Sequence, residues 1–201
     1  MSTPLAGPLS FGVGARITLS VMSDRYVEII LSALRAVDSS NLIVETGDVS
    51  TYIGGSEADI LRYLVDLTTH VADSGAHSSI AVHLFRGCPG AISSERPVVP
   101  RVVDIPKAHK EGSWAAAEWA LYPLTDTAGA DHMRDIYAAI DYAVGNGTFV
   151  KSEKSVTRLE GKVGTLLETA MAGWIQVGGS VQHVASHLTI SVNSPSHRGR
   201  E

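Results

Sequence analysis

The sequence predicts an α+β fold of two tandem β-α-β-β-α-β units with antiparallel sheets, and three observations carry that prediction. Val44 through Gly55 aligns with Val150 through Gly161 at an offset of 106, which also sets Ala33-Leu34 on Ala139-Ile140, Ile60-Leu61 on Leu166-Leu167 and Cys88-Pro89 on Ser194-Pro195. Leu19 with Leu121 and Asp24 with Asp126 need an offset of 102, so a four-residue insertion lies between Asp126 and Ala139. Both halves also run through the same order of apolar patterns, switching between period 2 and period 3.6.

Taken in order, Arg16 to Met22 reads as a strand and Ser23-Asp24 as the cap of a helix with its apolar stripe at Val27, Ile30, Leu31 and Leu34. Leu42 to Thr46 and Val49 to Ile53 are β-branched runs joined by Gly47-Asp48, a hairpin pattern. Ser56-Glu57-Ala58-Asp59 then opens an amphipathic helix through Ile60, Leu61, Leu64, Leu67 and Val71, and Ile80 to Phe85 closes the unit as a strand. The second unit repeats the order over Glu118 to Leu124, Asp131 to Val144, Thr148 to Lys151, Ser155 to Leu159, Val163 to Val177 and Ser186 to Val192. This order is the ferredoxin-like split unit, here in two tandem copies.

The predicted organisation is a flexible N-terminus over 1–14, a first repeat over 15–90, a linker over 91–113 marked by Pro97, Pro100 and Pro106, a second repeat over 114–194 and a tail over 195–201. A four-stranded sheet with both helices on one face leaves its other face uncovered. We therefore expect the units to bury part of that surface together and the remainder to support a homodimer.

With 201 residues, 44% hydrophobic and 18% charged, the chain has material for one sizeable core or two small ones. A net charge of −5 with scattered basic residues argues against nucleic-acid binding, which needs a clustered positive patch. Cys88 is the single cysteine, which suits a reducing cytoplasm, and residues 1–14 lack the pattern of a signal peptide. No stretch approaches a membrane span, so the expected protein is cytoplasmic with no direct membrane insertion.

Period-two alternation puts Val49, Thr51 and Ile53 on one face of the third strand, with Ser50 and Tyr52 on the other; the equivalent set in the second unit is Ser155, Thr157 and Leu159. Thr51 and Thr157 are thus matched hydroxyls on the helix-facing side, where an unpaired polar group costs about 1 to 3 kcal/mol. Their partner is either a neighbouring backbone carbonyl or a polar small molecule lodged between sheet and helices. Gly87-Cys88-Pro89-Gly90 and Asn193-Ser194-Pro195-Ser196 end the fourth strands alike, as turns or as the rim of a pocket. His183 and His187 have helical metal-ligand spacing but fall in and before a strand, so no metal is expected. Cys88 lacks a His and Asn constellation for nucleophilic catalysis, and Gly145-Asn146-Gly147 follows a helix as a C-cap rather than opening one as a phosphate loop.

Leu121-Tyr122-Pro123-Leu124, Gly147-Thr148-Phe149-Val150, Gly87-Cys88-Pro89-Gly90 and Ser191 to Ser196 together resemble the YkoF family of thiamin and hydroxymethylpyrimidine-binding proteins, over about Ile17 to Ser196. The first repeat departs from that pattern. Leu19-Ser20-Val21-Met22 stands where the family has Leu-Tyr-Pro-Met, and Gly47-Asp48 where it tends to have Asp then His. The resemblance implies non-enzymatic, reversible binding of thiamin or its hydroxymethylpyrimidine moiety in vitamin salvage or transport, with a functional link to a thiamin-precursor transporter and no further cofactor. The expected binding residues are Ser20, Asp48, Ser50, Thr51 and Cys88 in the first repeat, and Tyr122, Ser155, Thr157, Asn193 and Ser194 in the second. A thiazolium cation would use a ring face of Tyr122, Trp119 or Tyr52. The rival readings are a small enzyme of the dimeric ferredoxin-like type, which needs a titratable pair in the pocket, and a regulatory or interaction module.

Overall fold

The computed structural model describes residues 11–87, 105–124, 132–181 and 183–197. The first repeat comprises β1 (Gly14–Val21), α1 (Tyr26–Ala36), β2 (Ile43–Thr46), β3 (Thr51–Gly54), α2 (Glu57–Asp73) and β4 (Ser78–Arg86). The second comprises β5 (Trp114–Leu124), α3 (His132–Gly145), β6 (Phe149–Ser152), β7 (Thr157–Lys162), α4 (Val163–Gly178) and β8 (His183–Val192). Each is the split β-α-β-β-α-β unit, as the sequence predicts.

Among the described residues the antiparallel sheets of the two repeats are joined into one. Its eight strands run β2-β3-β1-β4-β8-β5-β7-β6, antiparallel throughout, and the repeats join where β4 pairs with β8. Both internal offsets are written into the register: Ile17 faces Thr51 as Trp119 faces Thr157. Across the seam, Val82 faces Leu188, its own counterpart at the offset of 106, so a pseudo-twofold axis passes between these two residues.

α1 touches α2, α2 touches α4, and α4 touches α3, so the helices form one layer on one face of the sheet. Side chains pointing to that layer are buried, among them Ala15, Ile17, Ile80, Val82, Leu84, Ala117, Trp119, Leu188 and Ile190. The alternate positions Arg16, Thr18, Ser20, His83, Glu118 and His187 are exposed on the opposite face. The repeats therefore meet edge to edge, and the expectation that they cover each other's open faces is corrected. Edge pairing satisfies two rows of backbone groups that would otherwise be left at sheet edges.

Several element boundaries differ from the sequence reading. Ser23-Asp24 does not cap α1, whose N-cap is Arg25 with no side-chain cap bond, whereas Ser56 caps α2 through its Oγ, which accepts the Asp59 N–H at 3.1 Å. β5 begins at Trp114, four residues before the predicted Glu118, because pairing on both sides with β7 and β8 holds Ala115-Ala116-Ala117 extended against alanine's weak strand preference. Residues 11–14 are packed rather than loose. Phe11 and Val13 are buried, and the Arg86 guanidinium lies 5.1 Å from the Phe11 ring centroid. Cys88, Asp126 and residues 91–104 of the predicted linker lie outside the described residues.

The end of that linker is strapped across the helix layer. Lys107 reaches Glu168 at 2.7 Å, and Glu168 also accepts the Ala108 N–H; His109 and Lys110 both reach Asp66 on α2, at 3.0 and 2.6 Å. Gly164 at the start of α4 admits the strap, because an added Cβ would collide with the Lys110 carbonyl. Among the described residues, no helix is long and apolar enough to cross a membrane.

Partial burial pushes the Asp66 carboxyl up, but hydrogen bonds and charge from Lys110 and His109 outweigh it and hold the group below its ordinary value of 3.8. A depressed folded pKa stabilises above the unfolded value and is lost as pH falls through the folded one. Asp66→Asn should thus lower stability by up to about 1 kcal/mol at pH 7. The gap from wild type should close below about pH 4, as read by thermal unfolding across pH.

Candidate functional site

In each repeat the first helix, the first strand and the β-hairpin enclose a cavity. That of the second repeat has a volume of about 310 Å³ and lies between β5 (Trp119 to Tyr122), α3 (Met133, Ile136, Tyr137, Ile140) and the hairpin (Ser152, Glu153, Ser155, Val156, Thr157). That of the first repeat is about 150 Å³, between β1 (Ile17 to Leu19), α1 (Ile30, Leu34), Leu67 and the hairpin from Thr46 to Thr51. Ile30 and Leu34 are the counterparts of Ile136 and Ile140 at the offset of 106, so the cavities are copies of one site. Because the pseudo-twofold axis runs between β4 and β8, they open at opposite ends of the sheet.

The hairpins show how the copies have diverged. Both turns close with the same backbone bond, from the Gly47 N–H to the Ser50 carbonyl and from the Glu153 N–H to the Val156 carbonyl. Thr46 stands opposite Thr51, and Ser152 opposite Thr157. In the first repeat the two threonine hydroxyls bond each other at 3.1 Å, Thr18 donates to the Val49 carbonyl at 3.3 Å, and Arg16 donates to Ser50 Oγ at 3.3 Å. In the second, no described residue bonds the Thr157 hydroxyl, although the residue is only 8% exposed and lines the cavity. β6 also carries a bulge at Val150 that shifts the register between Phe149 and Lys151, where β2 pairs regularly with β3. A bulge bends and twists its strand, which re-aims the hairpin over the larger cavity.

The apolar wall differs as well. Trp119 occupies the position of Ile17, Tyr122 that of Ser20, and Tyr137 that of Leu31. Trp119 is held on both sides. Its indole N–H donates to Ser186 Oγ at 2.8 Å, that hydroxyl donates to the Ala120 carbonyl, and Gly173 lets the ring lie against α4, since a Cβ there would stand 2.6 Å from the ring. Tyr122 and Tyr137 are half exposed at the rim. Glu153 lines the same cavity, and its hydrogen bond and charge contact with Lys151, 2.7 Å away, hold its carboxyl below the ordinary range, so it stands ionised at neutral pH.

Of the residues singled out in the sequence, Asp48, Ser50 and Thr51 come together in the first cavity, and Tyr122, Ser155 and Thr157 in the second. Ser20 is exposed and does not line the first cavity, although its counterpart Tyr122 lines the second. Tyr52 also lies on that face, stacked 6.2 Å from Phe85, away from either cavity. Asn193 and Ser194 follow β8, which runs antiparallel to β5, so they sit at the end of the sheet opposite the second cavity. The Asn193 amide instead ties the end of α2, donating to the carbonyls of Ala72 and Ala76 at 2.7 and 3.2 Å, and Ser194 Oγ accepts the Ser196 N–H. Sequence reasoning missed Glu153 and the stripe of Met133, Ile136, Tyr137 and Ile140 on α3. The stripe's i, i+3, i+4, i+7 spacing was the signal that could have found it.

Two ferredoxin-like repeats sharing one sheet, each with a cavity between hairpin and first helix, define the structural class. The family follows from comparison: the chain belongs to the YkoF-related family, whose model matches residues 12–91 and again 114–197. A curated relative from Bacillus subtilis (strain 168), named as a candidate HMP/thiamine-binding protein, YkoF, is 27% identical over 190 residues, 94% of each chain.

The hydroxyl pairing makes a stability prediction. Thr51→Val strands the Thr46 hydroxyl and should cost about 0.5–1.5 kcal/mol, whereas Thr157→Val removes no bond among the described residues and should change stability by less than about 0.5 kcal/mol. Urea unfolding midpoints of the two variants would measure the difference.

Proposed function

We propose that this protein binds thiamin or its hydroxymethylpyrimidine moiety reversibly, without catalysis, with the second-repeat cavity as the principal site. The observation that carries the reading is the Thr157 hydroxyl, on a residue only 8% exposed and without a described partner, facing a cavity walled by Trp119, Tyr122 and Tyr137 beside the ionised Glu153. An aminopyrimidine presents a donor next to ring-nitrogen acceptors, which the hydroxyls of Thr157, Ser155 and Ser152 match in both senses. The thiazolium of thiamin is a cation, favoured by the Glu153 charge and by an aromatic face worth about 0.5–2 kcal/mol. At about 310 Å³ the cavity reaches the range of small-molecule sites. The binding name of the curated relative supports the same reading, as does a lining that, among the described residues, sets hydroxyls and rings around the carboxylate of Glu153. Reversible binding without chemistry suits a role in vitamin salvage or supply to a transporter, in the cytoplasm.

Isothermal titration calorimetry tests this directly. Thiamin should bind saturably, and Thr157→Val should weaken it about tenfold, equivalent to about 1.4 kcal/mol, with the unfolding midpoint unchanged. No heat with thiamin or hydroxymethylpyrimidine in folded wild-type protein would overturn the reading.

We propose also that the open sheet face pairs with that of a second copy. Ala81, Ala116, Ala120, Ala185 and Thr189 make its centre flat, and Arg16 on the first half is exposed like Glu118 on the second. Setting first half on second half would bring opposite charges together. Sedimentation velocity should show a dimer that Thr189→Arg converts to a folded monomer; a monomeric wild type would overturn the pairing.

A further inference from the structure

We infer that the two cavities sort ligands by ring count, the first-repeat cavity taking a single six-membered aminoheteroaromatic ring and the second the larger two-ring cation. The inference rests on the binding reading above and concerns which repeat accepts which ligand of that class. The first cavity has about half the volume of the second, about 150 against 310 Å³. A cavity of about 150 Å³ is known to hold one benzene-sized ring, whereas sites for larger organic ligands begin near 300 Å³. A single pyrimidine ring therefore matches the first cavity in size, whereas a pyrimidine joined to a substituted thiazolium would extend past its walls into solvent.

The walls agree with the volumes. Ile17 replaces Trp119, and no aromatic side chain among the described residues lines the first cavity, which therefore offers no ring face to a second, cationic ring. Its polar groups still suit one aminopyrimidine. Thr46 and Thr51 have two hydroxyl protons between them and their mutual bond uses one, leaving a donor for a ring nitrogen and lone pairs for an amine. The Asp48 carboxylate stands at the turn as a further acceptor for the exocyclic amine.

Titration calorimetry of the whole protein with 4-amino-5-hydroxymethyl-2-methylpyrimidine and with thiamin tests the sorting by stoichiometry. The expected result is two pyrimidines but one thiamin per chain, with one pyrimidine site still open after saturation by thiamin. Asp48→Ala, on an exposed turn where it does not threaten the fold, should weaken that remaining site at least tenfold and leave thiamin affinity unchanged. Two thiamins per chain would overturn the sorting, as would a single pyrimidine per chain or a remaining site indifferent to Asp48→Ala. Silence in both titrations is a different result, because it removes the binding reading itself.

Discussion

The ladder from Ser78 opposite Val192 to Arg86 opposite Val184 joins two strands that would each be an exposed edge in an isolated repeat. Antiparallel pairing about Val82 and Leu188 turns the second repeat through half a revolution in the plane of the sheet. That rotation puts α1 to α4 on one side, brings α2 against α4, and sends the hairpins β2-β3 and β6-β7 to the far edges. Since each cavity is built from its own hairpin, the sites are separated across the whole sheet and point to opposite ends. Arg86 lies at one end of the ladder, buried with the Phe11 ring under its guanidinium and Glu57 of α2 at 3.8 Å, and Gly178 of α4 leaves it room. Burial lowers its pKa and the Glu57 charge opposes that shift.

Duplication supplies two copies of a site, and the differences between them follow from single positions. Thr46 and Ser152 are equivalent, yet only Thr46 engages the threonine opposite it. The hydroxyl released in the second repeat faces the cavity instead of its neighbour. Three aromatic rings and the bulge at Val150 are found in the same repeat, so enlargement, aromatic walls and an available hydroxyl occur together. The first repeat pairs more of its polar groups internally and encloses less space. A pocket whose polar groups are already paired gives up less on folding and offers less to a ligand.

Most of the fold was legible because both repeats carry the same periodic signals, and two weak readings at one offset support each other. The face of Thr51 and Thr157 followed from period-two alternation alone, and both are 8% exposed. What the sequence did not show is where strand ends lie relative to each other. Asn193 and Ser194 looked like rim residues because they end a strand as Cys88 does. Only the antiparallel register of β8 against β5 reveals that this end lies away from the second cavity. The alanine run at the start of β5 was missed for a related reason: local preference opposed the strand, and neighbours on both sides imposed it.

The turn carboxylates show how finely such a copy can be retuned. Gly47 is the counterpart of Glu153, and Asp48 that of Lys154, so each hairpin turn carries one acidic residue, displaced by a single position. In the second repeat the acid shares its turn with a hydroxyl at Ser155, which adopts a positive φ of 67°, and with the Lys151 ammonium. Lysine lowers the Glu153 pKa further without burying the carboxylate, so its charge acts at the mouth of the cavity, where a ligand cation would arrive. Asp48 has no lysine at the equivalent place, which is Glu45. A carboxylate held ionised beside aromatic rings favours a delocalised cation, whereas one beside threonine hydroxyls favours a neutral amine donor. One inherited turn thus supports two recognition chemistries, and the displacement of an acid by one residue is enough to separate them.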